Sequence, residues 1–293
     1  MNPVPVLVLT ANPAVPAIDA RALESAIGID RATRVLAPGT AVEIYPKPDD
    51  PARILERARA AIGDAPIDAN LVPADGRRKR LLVADMESTL IENEMLDDIA
   101  ELLGIGAHVA AITRRAMNGE LDFRAALTER VGLLAGKPAD LLARAASGIR
   151  EVPGARTLAA TMRANGARTA IVSGGFTYFT ALVRERLGFE QDFANSLDLA
   201  GDKLAGTVAE PILGREAKLA TLEKLAAEIG APLEATITVG DGANDLAMLG
   251  AAGFGVAFRA KPAVAAQARF NIRHGDLTAL LYLQGYEKGQ FVG

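Results

Sequence analysis

The chain of 293 residues contains no cysteine and only two histidines, His108 and His274. The absence of cysteine excludes disulfides, thiolate metal sites and cysteine nucleophiles. Neither histidine lies near the carboxylate-rich stretches described below, so a Ser-His-Asp site is not expected either. The chemistry of this chain must therefore come from carboxylates, hydroxyls, amides and the cationic side chains of lysine and arginine.

Long apolar runs and large charged blocks are also missing. No apolar run reaches the length of about 18 residues that a membrane span needs, and Met1–Pro5 lacks the basic region of a signal peptide. We therefore expect a cytoplasmic protein without a membrane partner. The net charge is only −4, and the longest basic block is Arg77–Arg80. This argues against a nucleic-acid partner, and we expect the basic block to be a solvated linker.

The composition is nevertheless that of a protein with a sizeable core. Hydrophobic residues make up 50% of the chain and aromatic residues only 4%, so the core must consist mainly of alanine, leucine, valine and isoleucine. A length of 293 residues suggests two domains, at roughly 150 residues per domain.

Residues 1–75 predict a small α+β unit. The apolar patterns predict strands near residues 6–9, 34–36, 41–44 and 69–72, and helices near residues 18–27 and 51–62. The order β-α-β-β-α-β is that of a ferredoxin-like fold. The unit contains no group of residues that is typical of a catalytic or metal-binding site. We therefore predict an accessory or oligomerisation domain that ends at a linker near Ala74–Arg77.

Residues 76–293 predict an α/β domain with a doubly wound parallel sheet. Its first strand is Leu81–Ala84, and the following stretch, about residues 92–150, shows helical spacing and no strand pattern. We therefore predict an inserted helical cap that lies over the carboxyl end of the first strand. Strands and helices then alternate as far as residue 257. The predicted cap helices are 95–103, 121–134 and 141–149; the later strands are 168–172, 235–239 and 254–257, with a hairpin within 192–208 beside the sheet.

Polar side chains follow three of the predicted parallel strands. They are Asp85 and Glu87, then Ser173 with Gly174 and Gly175, and then Asp241 with Asn244 and Asp245. Ligands bind beyond the carboxyl ends of strands in such sheets. Clustered carboxylates repel one another without a cation, and hard oxygen ligands favour Mg²⁺. Ser173 and the amides at the start of the next helix suit a phosphate group, and Lys218 can oppose its charge.

This combination resembles the haloacid dehalogenase superfamily of aspartate-nucleophile phosphatases over residues 81–257. The resemblance implies that Asp85 attacks phosphorus to form an aspartyl-phosphate. It implies that Glu87 protonates the leaving group and then activates water, and that Asp85, Asp241 and the main-chain carbonyl of Glu87 hold Mg²⁺. The remaining implied roles are phosphate binding by Ser173, Gly174, Gly175, Lys218 and Asn244, and orientation of the cluster by Asp245.

Within the superfamily the chain looks most like the phosphoserine phosphatases. The similar stretches are Asp85–Thr89, Glu92–Glu94, Met117–Phe123 and Glu129–Val131. The resemblance implies that Glu94 binds the substrate ammonium and Arg130 its carboxylate, while Met117 and Phe123 form an apolar wall. The N-terminal unit loosely resembles the ACT-like region of many bacterial members, which implies either a homodimer formed through that unit or feedback by serine.

One residue departs from the family pattern, because Glu87 stands where the family usually has aspartate. Its acid group lies farther from the backbone by one carbon–carbon bond, roughly 1.5 Å. We expect a loop reshaped to suit the glutamate, and the expected activity is hydrolysis of phosphoserine. Two alternatives stay open. One is a phosphatase for another small phosphomonoester, and the other is a serine- or phosphate-binding regulator that lost catalysis through Glu87.

Overall fold

A computed structural model of the chain describes residues 5–28, 32–47, 49–117 and 120–293, without the side chain of Met117. The strands are β1 (Val6–Ala11), β2 (Thr33–Ala37), β3 (Ala41–Ile44), β4 (Ile67–Val72), β5 (Leu81–Ala84), β6 (Arg168–Phe176), β7 (Gln191–Asn195), β8 (Leu197–Ala200), β9 (Lys203–Val208), β10 (Thr236–Gly240), β11 (Phe254–Phe258) and β12 (Phe270–Ile272). The helices are α1 (Ala20–Ile27), α2 (Pro51–Ile62), α3 (Met95–Leu102), α4 (Gly106–Met117), α5 (Phe123–Gly132), α6 (Asp140–Ala146), α7 (Ala155–Ala164), α8 (Thr177–Leu187), α9 (Arg215–Glu228), α10 (Leu246–Ala251), α11 (Pro262–Ala265) and α12 (Ala279–Leu283).

The N-terminal unit is an antiparallel sheet in the order β2-β3-β1-β4, and the predicted β-α-β-β-α-β order is confirmed. Its central strand β1 is buried on both faces. Leu7 and Leu9 belong to the core that includes residues of α1 and α2. Val6 and Val8 alternate with them and belong to the main core of the α/β domain that follows, which the family resemblance implies is the catalytic domain. The sheet is therefore a middle layer between its own helices and the catalytic domain.

The basic block between the two units is solvated only in part, because Arg78 and Arg80 are exposed whereas Arg77 and Lys79 are buried. Arg77 is only 9% exposed, and its Nη1 lies 2.7 Å from Oε1 of the buried Glu43 in β3. Its Nε donates to the carbonyl of Leu283 at 3.0 Å. Lys79 is also buried and donates to two backbone carbonyls. The expectation of a solvated block is therefore wrong for Arg77, which the N-terminal sheet covers, and for Lys79, which is bonded to the carbonyls of Gly76 and Glu234.

The catalytic domain is built on a six-stranded parallel sheet in the order β12-β11-β10-β5-β6-β7. The residues of its central strands β5 and β10 are all buried, as expected for a sheet covered on both faces. The predicted parallel sheet is confirmed. Within the predicted hairpin region, β7 joins the main sheet as its edge strand, while β8 and β9 form the separate hairpin. Strand β12 was not predicted.

A cap of four helices, α3 to α6, is inserted between β5 and α7. Helix α4 was not predicted as a separate element. Helix α5 packs against β9 of the hairpin, so the cap contacts the hairpin that lies beside the main sheet. Within the described ranges, no helix combines the length and apolarity needed to cross a membrane.

Candidate active site

Three neighbouring parallel strands bring the predicted site residues to one edge of the sheet. Strand β5 lies between β10 and β6, with Ala84 in register with Val239 and Ile171. Asp85 follows β5 directly and Asp241 follows β10, while Ser173 lies within β6. The carboxyl ends of parallel strands point the same way, so residues far apart in sequence meet here.

Three carboxylates meet at this edge around one lysine. Asp85, Asp241 and Asp245 each offer an oxygen, and the three oxygens lie within 4.8 Å of one another. The buried Lys218 Nζ lies 2.7 Å from Asp85 Oδ1 and 2.6 Å from Asp245 Oδ1. Asp245 Oδ2 accepts the Gly242 N–H at 3.0 Å. Both oxygens of Asp245 are therefore engaged, which suits a residue that orients its neighbours.

The nucleophile predicted from the sequence, Asp85, is held from one side only. Its Oδ1 accepts the Met86 N–H at 2.8 Å in addition to the contact with Lys218. Among the described residues, no donor is bonded to Oδ2. The carboxylate is 5% exposed, so its orientation is fixed while one oxygen stays available for a ligand or for chemistry.

The electrostatics of the cluster are those of crowded negative charge. Burial raises the pKa of Asp241, with a further rise from the charge of Asp85. Burial also raises the pKa of Asp245, to about 7, and Asp85 adds to that shift while Lys218 opposes it. For Lys218, burial favours the neutral amine, but the Asp85 and Asp245 carboxylates outweigh it and raise the pKa. The lysine therefore stays charged and compensates only part of the surrounding charge.

This donor set fits a divalent cation. The oxygens of Asp85 and Asp241 are hard ligands, and a cation between them would remove the repulsion that raises the pKa of Asp241. Asp245 contributes to the same acidic cluster, but its oxygens already bind Lys218 and the Gly242 amide. The geometry thus allows Asp85 and Asp241 as direct ligands, with Asp245 behind them.

The phosphate-binding segment differs in one respect from the prediction. Strand β6 continues through Ser173 and Gly175 to Phe176, so helix α8 starts only at Thr177. The strand is extended because, after an irregularity in pairing, Phe176 pairs with Asn195 of β7. The helix predicted over residues 176–187 is therefore confirmed to within one residue, but the two glycines belong to the strand and not to the helix start. Instead, Ser173 Oγ accepts the Gly175 N–H at 2.9 Å.

Glu87 is accommodated by contacts on both sides of its carboxyl group. Oε1 accepts the Met95 N–H at 2.8 Å, at the start of cap helix α3. A Cβ atom at Gly175 would lie 2.9 Å from Oε2, so the glycine provides the space that the longer side chain occupies. Burial raises the pKa of Glu87 to about 8, with further rises from the charges of Glu94 and Asp85.

Glu94 is oriented by the turn that follows the first acidic pair. Ser88 adopts a left-handed backbone conformation with φ of 53°, and its Oγ donates to Glu94 Oε1 at 2.7 Å. Burial raises the pKa of Glu94, and the charges of Asp241 and Asp85 add to this while the Ser88 hydrogen bond opposes it. Glu94 therefore belongs electrostatically to the same site.

The predicted residues surround a cavity of about 290 Å³ between the cap and the sheet edge. Arg130 of α5 lines it, and its Nε donates to the Ala126 carbonyl at 3.2 Å. Phe123 lies so close to the strand that a Cβ at Gly174 would be 3.2 Å from its ring. The cavity is lined by Asp85, Glu87, Glu94, Leu96, Asp97, Phe123, Leu127, Arg130, Gly174, Gly175, Phe176, Asp241, Gly242, Ala243, Asn244 and Lys261.

Three predicted residues are not among those that line the cavity, and a fourth cannot be placed. Ser173, Lys218 and Asp245 are buried at 2% exposure or less and act from behind the lining residues. The side chain of Met117, predicted to form part of the apolar wall, lies outside the described part of the chain.

The sequence reasoning missed two charged residues of this cavity. Asp97 lies three residues after Glu94, at the spacing that puts both on one face of α3, and the charge of Arg130 acts on it. Lys261 lies shortly after β11, so its position beyond another parallel strand was an available signal. Its charge opposes the rise in the pKa of Asp241.

The family model of haloacid dehalogenase-like hydrolases matches residues 82–250, which include β5, the cap, Lys218 and Asp241. The chain belongs to this family. The similarity of this chain to curated relatives extends beyond residues 82–250 into the N-terminal unit. A phosphoserine phosphatase of Streptomyces coelicolor is 41% identical over 283 residues, covering 94% of this chain and 68% of that protein.

Two solved structures show the same relationship. A probable phosphoserine phosphatase from Vibrio cholerae superposes with a TM-score of 0.80 at 30% identity, over 98% of this chain and 88% of that one. A phosphoserine phosphatase described as a phospho-aspartyl intermediate analogue is 38% identical with a TM-score of 0.65, over 70% of this chain and 98% of that one. The Vibrio cholerae structure therefore matches both units of this chain, whereas the intermediate analogue matches only 70% of it.

Proposed function

We propose that the protein hydrolyses O-phospho-L-serine to L-serine and phosphate in a Mg²⁺-dependent reaction, the last step of serine biosynthesis. The observation that carries this proposal is the presence of Glu94 and Arg130 in the same cavity as Asp85. An amino acid phosphate carries an ammonium, a carboxylate and a phosphate, and the cavity offers one group of suitable charge for each. The relatives named phosphoserine phosphatase support the same substrate.

In the proposed first step, Asp85 attacks phosphorus and forms an aspartyl-phosphate, while the bond between phosphorus and the serine oxygen breaks. Lys218 and Ser173 would bind the phosphoryl oxygens from behind the residues that line the cavity. Glu87 gives its proton to the departing serine oxygen. Its raised pKa supports this role, because an acid with a pKa of about 8 is protonated at neutral pH.

In the second step the same residue acts as a base. Glu87, now ionised, takes a proton from a water molecule, and the water oxygen attacks phosphorus. The bond between phosphorus and Asp85 then breaks, which releases phosphate and restores both carboxyl groups. Mg²⁺, held by Asp85, Asp241 and the main-chain carbonyl of Glu87, would supply positive charge that stabilises the phosphoryl oxygens.

Substrate recognition is proposed to come mainly from the cap. The Arg130 guanidinium can bind a carboxylate through two parallel hydrogen bonds, and Glu94 can pair with the ammonium. Phe123 packs over Gly174 and limits the access of water when the cap is closed. Asn244 also lines the cavity, and its proposed role is to help bind the phosphate.

The test is phosphate release from L-phosphoserine, measured with Mg²⁺, with EDTA, and in the Asp85→Asn variant. We expect release with Mg²⁺ and a loss of at least about 1,000-fold in Asp85→Asn, because the nucleophile is removed. Asp202→Asn serves as the matched control, since Asp202 lies in the exposed turn of the β8–β9 hairpin and should leave turnover unchanged.

Two other results would favour the alternatives. Release from other phosphomonoesters but not from phosphoserine would retain the chemistry and overturn the substrate; an Arg130→Ala variant would then lose no selectivity. Binding of phosphoserine without any release would favour a regulator that has lost catalysis.

The homodimer expected through the N-terminal unit remains a prediction, which light scattering of the full chain would check.

A further inference from the structure

A second cavity, of about 570 Å³, lies between the N-terminal unit and the catalytic domain. One wall is formed by the end of α2 and the start of β4, and the other by the segments around residues 257–266 and 271–274. Its volume falls within the range of small-molecule sites, which often occur between domains. We call this cavity the interdomain cleft.

The base of the cleft is fixed by hydrogen bonds between the two units. Asp68 of β4 is buried and accepts the backbone N–H groups of residues 273–275 at 2.8 to 3.0 Å. Asn70 exchanges two hydrogen bonds of 2.9 Å with the backbone of Asn271. The cleft is therefore preformed, and its two walls are held at a defined separation.

The charged side chains that line the interdomain cleft are mainly hydrogen-bond donors. Arg59 from the N-terminal unit and Arg273 from the catalytic domain both line it, and neither forms an ion pair within the described part of the chain. His274 also lines it. The only acid in the lining, Asp68, has both oxygens bonded to backbone amides. Two guanidinium groups thus face the cleft without a compensating carboxylate.

We propose that the interdomain cleft is an effector site for a small organic anion carrying a carboxylate or phosphate group, held between Arg59 and Arg273. A guanidinium presents paired N–H donors that match the oxygens of either group. The remaining walls consist largely of small apolar residues, such as Ala65, Ala69 and Ala260, which leave room for a short carbon skeleton.

The cleft and the active site share one segment of chain. Ala260 and Pro262 line the cleft, whereas Lys261 between them lines the active-site cavity. The segment follows Arg259, a non-glycine residue with φ of 45°, in a region that side chains seldom adopt. An anion bound in the cleft contacts the residues on both sides of Lys261, so occupancy of the cleft changes the position of a charge near Asp241.

Hydrogen exchange of the full chain without Mg²⁺ tests binding at this place, with succinate and inorganic phosphate as separate probes. We expect protection of peptides covering residues 59–69 and 257–275. The protection should be lost in the Arg59→Ala/Arg273→Ala double variant. It should persist in a control that removes two exposed arginines away from the cleft, Arg21→Ala/Arg53→Ala. Absence of protection with both probes, or protection that survives loss of Arg59 and Arg273, would overturn the proposal.

A second measurement tests the effector role. Saturating succinate should change kcat/KM for L-phosphoserine by about fivefold or more in the parent and in the control variant, and should have no effect when Arg59 and Arg273 are replaced. An equal effect in all variants would place succinate in the active site and overturn the effector role, as would no effect in the parent. The exchange measurement needs no turnover, so it can fail or succeed independently of the proposed function.

Discussion

At the scale of single residues, Glu87 stands where the family resemblance led us to expect an aspartate. Its carboxyl group is held by the Met95 N–H and occupies the space left by the missing side chain of Gly175. The longer acid is therefore accommodated by a contact from the cap and a gap in the strand. This arrangement supports a working acid/base at position 87.

The accommodation of Glu87 predicts that two substitutions interact. Gly175→Ala would place a Cβ 2.9 Å from Glu87 Oε2, so we expect it to lower kcat by about 100-fold, the effect of a misplacement near 1 Å. In the Glu87→Asp background the shorter side chain leaves that space, and Gly175→Ala should cost much less. Steady-state kinetics of the four proteins measures this coupling. Equal effects of Gly175→Ala in both backgrounds would show that the glycine serves another purpose.

The charge of Glu94 predicts a shift in the pH profile. Glu87 acts as an acid only when protonated, so phosphorylation of the enzyme should be lost as the pH rises through its pKa of about 8. Glu94 raises that pKa, so Glu94→Gln should lower it and move the alkaline limb to lower pH. Single-turnover rates with ethyl phosphate, which has no ammonium for Glu94 to bind, measure the limb. An unchanged limb would contradict the coupling.

The positions of the site residues could be predicted from the sequence, but the contacts that hold their side chains in place could not. Asp85 and Asp241 each follow an apolar run, and parallel strands place such residues together. The space beside Glu87 depends on Gly175, and the hydrogen bond depends on Met95 of the cap. Contacts of this kind arise only from tertiary packing, which periodicity and spacing do not encode.

At the scale of elements, the contact between the cap and the catalytic domain continues beyond the cavity. Phe123 begins α5 and lies over Gly174, and the next residue, Arg124, forms a two-point ion pair with Glu210. Glu210 lies in the segment that leads to α9 and Lys218. This exposed ion pair joins the cap to the domain beside the mouth of the active site.

We predict that the ion pair between Arg124 and Glu210 favours the closed cap. Arg124→Ala should raise KM for phosphoserine by about two- to fivefold, the modest effect of an exposed ion pair. The charge reversal Arg124→Glu/Glu210→Arg should restore KM. Arg115→Ala is the matched control, because Arg115 pairs with Glu129 within the cap. A similar rise in KM for the control would mean that cap stability, not closure, is being measured.

Most elements of the catalytic domain were predictable because their strands are continuous apolar runs. Helix α4 was missed as an element, and β12 is only three residues long, too short for a pattern to identify it. The extension of β6 through Gly175 was missed because two glycines indicate a loop, whereas pairing of Phe176 with Asn195 keeps the segment extended.

At the scale of the whole molecule, the two units share one apolar core rather than being joined by a solvated linker. Val6, Val8 and Val72 of the N-terminal sheet belong to the same core as Leu280 of α12. Glu43 and Arg77 form a buried ion pair across the junction. The burial of Arg77 could not be predicted, because it depends on how the two units dock.

Loss of one partner in that ion pair should destabilise the molecule. Arg77→Met would leave the fully buried Glu43 without its nearest cation, so we expect a loss of about 3–5 kcal/mol in the free energy of unfolding. Urea denaturation measures this change. Lys224→Met is the control, since Lys224 forms an exposed ion pair with Glu228 and should cost at most about 0.5 kcal/mol. A loss for Arg77→Met as small as that of the control would contradict the structural role of the junction.

The central claim is that Asp85 becomes phosphorylated during turnover. The most direct test mixes L-phosphoserine and Mg²⁺ with the parent enzyme, quenches with acid within one turnover and locates the modified residue by mass spectrometry. A phosphoryl group should be found on Asp85, and none should be found in Asp85→Asn. Phosphate release without any phosphorylated residue, or phosphorylation at a residue other than Asp85, would contradict the account.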